Sequence, residues 1–70
     1  MNHCLNVSTP LVVQDGGRQT VVMFDKGTPV ELVQESRKVD GDGETCDMLV
    51  GIRKLLARET PMWLVSEVKP

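Results

Sequence analysis

Thr45-Cys46-Asp47-Met48-Leu49-Val50-Gly51-Ile52-Arg53-Lys54-Leu55-Leu56-Ala57-Arg58-Glu59 is the stretch on which the fold turns. Advancing about 100° per residue places Met48, Leu49, Ile52, Leu55 and Leu56 in one arc and leaves Asp47, Gly51, Arg53, Lys54 and Arg58 outside it. That spacing predicts an amphipathic helix. Thr45 suits the N-cap, and Asp47 stands in the first turn, where the helix dipole favours an anion. The cations follow towards the end, where it favours them, and Pro61 forbids continuation. A strand competes, because Cys46, Met48, Val50 and Ile52 also alternate, but the alternation fails at Lys54-Leu55-Leu56. The helix is the favoured reading.

Upstream, the β-branched runs Leu11-Val12-Val13 and Thr20-Val21-Val22-Met23-Phe24 flank Gln14-Asp15-Gly16-Gly17-Arg18, and Asp-Gly-Gly supplies the positive φ of a tight hairpin. Asp25-Lys26-Gly27 makes a second turn. Thr28 to Val39 supports two readings. Thr28-Pro29-Val30-Glu31 resembles a capping box with proline at the first helical position, whereas Val30-Glu31-Leu32 after a glycine turn continues the hairpin as a third strand. The thin apolar stripe of Val30, Val33 and Arg37 favours the strand. Asp40 to Glu44 is a polar loop leading into the helix, Pro61 to Val68 is a closing strand, and Met1 to Pro10 is a frayed or short edge segment. The expected architecture is a single α+β domain over residues 1–70, a small antiparallel sheet in the order β-β-β-α-β with one helix packed on it. The alternative is a small all-β SH3-like barrel.

Composition narrows the function. Seventy residues allow one small core, so the chain is expected to lean on a partner or on self-association. A formal net charge of −2 lacks the basic excess of a generic nucleic-acid coat. Met1 to Pro10 carries no basic, apolar signal pattern and no run is long enough to span a bilayer, which predicts a cytoplasmic chain with no membrane partner. Cys4 and Cys46 are too few for a disulfide framework and are expected to be thiols.

No cofactor, metal or catalytic site is expected. Asp40, Asp42, Glu44 and Asp47 cluster like calcium ligands, but with Asp40 as first ligand the required glycine falls on Thr45 and the bidentate glutamate on Gly51. His3, Cys4 and Cys46 are zinc-type ligands without informative spacing. Gly16-Gly17 lacks the further glycines of a dinucleotide loop and the lysine of a phosphate loop, and Ser8, Ser36 and Ser66 lie in no nucleophile-elbow context. So small a core also has scant room for a ligand-sized cleft.

Two surfaces remain. Along the closing strand Met62, Leu64 and Val68 face one way and Trp63 and Val65 the other; in the hairpin Val22 and Phe24 oppose Val21 and Met23. One helix covers one face, so Trp63, Val65, Val21 and Met23 either lie beneath the Thr28–Val39 segment or form a partner-binding patch for a larger protein or a second copy, unless the sheet curls into a barrel. A non-enzymatic adaptor, inhibitor or regulator is therefore the leading expectation. The alternative is a small nucleic-acid-binding regulator using Arg53, Lys54 and Arg58 on the polar helix face, a patch interrupted by Asp47 and Glu59.

Overall fold

Between Gly43 and Val50 the chain satisfies a period of two: Cys46, Met48 and Val50 are buried, while Thr45, Asp47 and Leu49 are only half-buried. The computed structural model, which describes residues 3–68, makes this segment a strand. Seven strands form one antiparallel sheet: β1 (His3–Leu5), β2 (Thr9–Asp15), β3 (Arg18–Phe24), β4 (Pro29–Asp40), β5 (Gly43–Val50), β6 (Leu55–Pro61) and β7 (Val65–Glu67). The order across the sheet is β3-β2-β6-β5-β4-β1-β7, curled into a half-barrel. A single 3-10 turn, Met62–Leu64, is the only helical element among the described residues.

The helix expected over Thr45–Glu59 is thus absent, and with it the α+β class and the β-β-β-α-β order. Of the two architectures, the all-β one lies nearer to what forms. The failed alternation at Lys54-Leu55-Leu56 marks a turn rather than a helix. Gly51 (φ 81°) and Lys54 (φ 54°) both adopt the left-handed conformation, and the Lys54 amide donates to the Gly51 carbonyl at 3.1 Å. Ile52, assigned to the apolar stripe, sits at the tip of that turn and is 93% exposed. β5 lies between β4 and β6, so both of its edges are paired. A helix there would strand both neighbours with unpaired backbone groups, a penalty that local helix propensity cannot match.

Among the other local readings, the hairpin, the third strand and the polar loop agree with the structure, while the two chain ends do not. Gly16 (φ 61°) and Gly17 (φ 84°) close a two-residue hairpin between Asp15 and Arg18, the conformation that tight hairpins demand. Of Thr28–Val39, every residue after Thr28 lies in β4, so the segment resolves as strand. The Asp40–Gly43 loop joins β4 to β5, with the Asp42 amide held by Asp40 Oδ1 at 2.8 Å. Pro61 ends β6 and opens the 3-10 turn, so the closing segment splits in two. His3 to Leu5, expected in a frayed or short edge segment, is a strand but not an edge one: it joins β4 to β7, with Leu5 fully buried.

The concave face holds the core: Leu5, Val13, Val30, Cys46, Met48, Val50 and Ala57, with Phe24, Leu32 and Leu55 packed against it. Register explains the layering. Leu32, Met48 and Ala57 stand opposite one another across three strands, as do Val30, Val50 and Leu55. The curl comes from breaks in the ladder. β4 shifts register between Val33 and Lys38, and the β5–β6 pairing shifts between Cys46 and Met48, beside Glu59 at φ 52°. Such bulges bend and twist a sheet. Side chains hold them: the Ser36 hydroxyl donates to the Val33 carbonyl and accepts from the Asp47 amide, both at 2.8 Å, and Asp47 Oδ1 accepts from the Glu59 amide at 2.9 Å. Ser36→Ala leaves the Asp47 amide without that acceptor in a partly buried site. We expect a loss of about 1–3 kcal/mol, seen as a lower urea midpoint with unchanged slope.

Candidate functional site

The β2–β3 hairpin has two different faces. Opposed residues share a face, so the pairs Thr9/Phe24, Leu11/Val22 and Val13/Thr20 alternate with Pro10/Met23, Val12/Val21 and Gln14/Gln19. The first set turns Leu11, Val13, Val22 and Phe24 to the core. The second turns outward, where Val12 is 55%, Val21 65% and Met23 63% exposed, with Pro10 exposed beside them. β3 has only one neighbour in the sheet and is a free edge. This is a row of apolar side chains beside a strand edge.

The expected partner-binding residues divide. Val21 and Met23 stand in the same outward row of β3. Trp63 is 71% exposed on the 3-10 turn, its carbonyl accepting from Asn6 Nδ2 at 2.8 Å. Val65 is half-buried against the core, so it adds little to an exposed patch. Alternation through Pro61–Val68 misassigned it, because the 3-10 turn resets which face each residue meets. Val12 and Pro10 were missed, although reading the hairpin register outward from Gly16-Gly17 pairs them with Val21 and Met23.

The basic set does not lie on a helix. Arg53 and Lys54 belong to the turn after β5, and Arg58 to β6. Arg53 reaches Asp15 at 3.2 Å and Lys54 reaches Glu31 at 3.6 Å, both pairs largely exposed. Arg53 and Lys54 thus each face an acid, which lowers the potential they offer to a phosphate, while Arg58 has no ion-pair partner among the described residues. Arg37 pairs with Glu44, whose hydrogen bond and charge raise the guanidinium further above its already high value.

The suspected metal ligands are dispersed or engaged. Asp40, Glu44 and Asp47 contact the Asp42 amide, Arg37 and the Glu59 amide respectively. His3 and Cys4 lie in β1 and Cys46 is buried in β5. Among the described residues no three His, Cys, Asp or Glu side chains gather as ligands. Ser36 Oγ lies 3.6 Å from Cys46 Sγ, but their remaining hydrogen-bond partners are backbone groups, so neither has a base to activate it.

A cleft of about 370 Å³ opens between β3 and the turn after β5, lined chiefly by Val22, Phe24, Pro29, Gly51, Ile52 and Leu55. The expectation that so short a chain lacks room for one does not hold. Curling the sheet, instead of covering it with a helix, leaves the mouth of the half-barrel open. Its lining suits an apolar side chain or small apolar molecule and offers no acid–base pair. Among the described residues no helix is long and apolar enough to cross a membrane. Comparison with known proteins finds no matching family model, no matching curated protein and no matching solved structure.

Proposed function

We propose that this chain is a non-enzymatic protein-binding module, an adaptor, inhibitor or regulator that acts by docking, and that the outer face of the β2–β3 hairpin is its docking surface. One observation carries the reading: Pro10, Val12, Val21 and Met23 form an exposed apolar row beside the unpaired edge of β3. Exposed edges in soluble proteins are ordinarily blunted by charge, proline or a bulge, and β3 places none of these between Gln19 and Phe24. Trp63, large, apolar and exposed, is a second anchor. Two free thiols, Cys4 and Cys46, suit a cytoplasmic setting.

The test compares immobilised wild-type chain with Val21→Lys and Trp63→Ala, each verified as folded by circular dichroism. Lysine in the row should lower the amount of bound partner about tenfold or more, and loss of the indole should weaken it by about 2 kcal/mol. Identical retention by all three proteins would remove the hairpin face from consideration. Binding that instead collapses steeply with salt and includes DNA or RNA would favour a nucleic-acid partner for Arg53, Lys54 and Arg58.

A further inference from the structure

From the hairpin register we infer that the occupant of the β3 edge is a second copy of this chain, joined by antiparallel β3–β3 pairing about a twofold axis at Val21. The inference rests on the docking surface proposed above and names what fills it.

The register follows from the hydrogen bonds left over. Asp15 and Arg18 close a two-residue turn and so form a hydrogen-bonded pair. Pairs along an antiparallel ladder alternate, so Val13/Thr20, Leu11/Val22 and Thr9/Phe24 are also bonded towards β2, while Gln19, Val21 and Met23 turn their N–H and C=O groups to the free edge. Pro10, which has no N–H, stands opposite Met23, where β3 requires none from it. A twofold axis at Val21 sets Val21 against its own copy and Gln19 against Met23 of the second chain. All three outward positions of both chains are then paired, with none left over. Moving the axis by one residue, to Thr20 or Val22, would set Met23 opposite Gly17 or Gln19 opposite Asp25, beyond the ends of β3, so that only two of the three outward positions pair.

Side chains and charges agree with this register. The outward row becomes continuous across the axis, Val12, Val21 and their symmetry mates lying side by side. No like charges stand opposite one another, because between Arg18 and Phe24 the strand has no other charged residue. Asp15, which faces Arg18, is occupied by Arg53, and neither Arg18 nor Asp25 has an ion-pair partner among the described residues. Antiparallel pairing brings the Arg18 end of one strand to the Asp25 end of the other, with Lys26 just beyond the paired length. The two ends are thus complementary.

Cross-linking reads the register directly. Bonded partners in an antiparallel ladder have Cα atoms about 5.5 Å apart, within the reach of a disulfide. In full-length Cys4→Ser protein, Val21→Cys should oxidise readily to a covalent dimer of twice 7.8 kDa, whereas Thr20→Cys, exposed on the same strand but opposite Val22 of the partner, should not. The wild-type chain should show a sedimentation mass rising towards that of a dimer with concentration. Val21→Lys, which opposes two ammonium groups at the axis, should weaken the dimer about tenfold or more.

Thr20→Cys cross-linking as fast as Val21→Cys would overturn the register and with it the inference. A wild-type chain that stays monomeric at every concentration, with no preferential Val21→Cys dimer, would exclude the second copy. If Val21→Lys still loses captured proteins in that case, the docking surface stands with a different occupant. If it does not, both readings fall together.

Discussion

Met48→Ala is expected to abolish the cooperative urea transition or move it close to zero denaturant. Met48 is fully buried at the centre of β5, between Leu32 and Ala57 in the middle of the core. Truncating a buried side chain of this size removes its transfer free energy and leaves a cavity, together about 2–5 kcal/mol. A domain of this length has about 3–5 kcal/mol to lose. The matching substitution Ile52→Ala should change stability by no more than about 0.5 kcal/mol, because that side chain projects from a turn at 93% exposure. The pair discriminates sharply. A helix would bury Met48 and Ile52 along one stripe and make both costly, so equal destabilisation by the two substitutions would contradict the strand and the turn after it.

Leu5→Ala should be nearly as damaging. β1 contributes only three residues, yet it bridges β4 and β7, and Leu5 is fully buried. Its amide donates to the Thr28 carbonyl at 2.9 Å and its carbonyl accepts from the Gly27 amide at 2.8 Å, which ties the strand to the turn that launches β4. Loss of the side chain should again remove about 2–5 kcal/mol. Hydrogen exchange offers the specific readout: amides of Val65 and Ser66, paired with Leu5 and Cys4, should lose protection along with the start of β4. Val39→Ala, at a site 79% exposed, is the control and should leave exchange unchanged. Retention of wild-type stability in Leu5→Ala would mean that the first strand is peripheral.

Both predictions concern places where local pattern and final structure part company. The hairpin was legible because its signal is contained in a few consecutive residues: Gly16 and Gly17 permit the conformation, and the flanking β-branched runs supply the strands. β4 was legible only in part: a glycine turn followed by alternating Val30 and Leu32 favoured a strand, but Thr28-Pro29-Val30-Glu31 also read as a helix start, and pairing with β1 and β5 made it a strand. The segment 45–59 was not legible, since its residues satisfy two periods at once. Met48 lies in the helical arc and in the strand row alike, and the residues that separate the two readings, Gly51 and Lys54, carry information only through backbone angles. Leu5 gave no local signal, because a three-residue strand has no period to detect.

The candidate surface followed the same division. Val21 and Met23 were read correctly as a shared row from alternation alone, while Val65 was misplaced by the 3-10 turn that precedes it. Arg53, Lys54 and Arg58 were grouped by a helix that does not form; folding instead sets Arg53 against Asp15 and Lys54 against Glu31, residues far away in the chain.

What the amino-acid order determined by itself is therefore the short-range part: the turns at Gly16-Gly17 and Gly27, the strands around them, a small apolar core and the near-neutral charge. Which way Thr45–Val50 would go was decided only when β4 and β6 were both present to pair with it, since unpaired backbone groups on two neighbouring strands outweigh any helix preference within one. That choice also left the β3 edge free, and a free edge is a property of the assembled sheet that no stretch of residues contains.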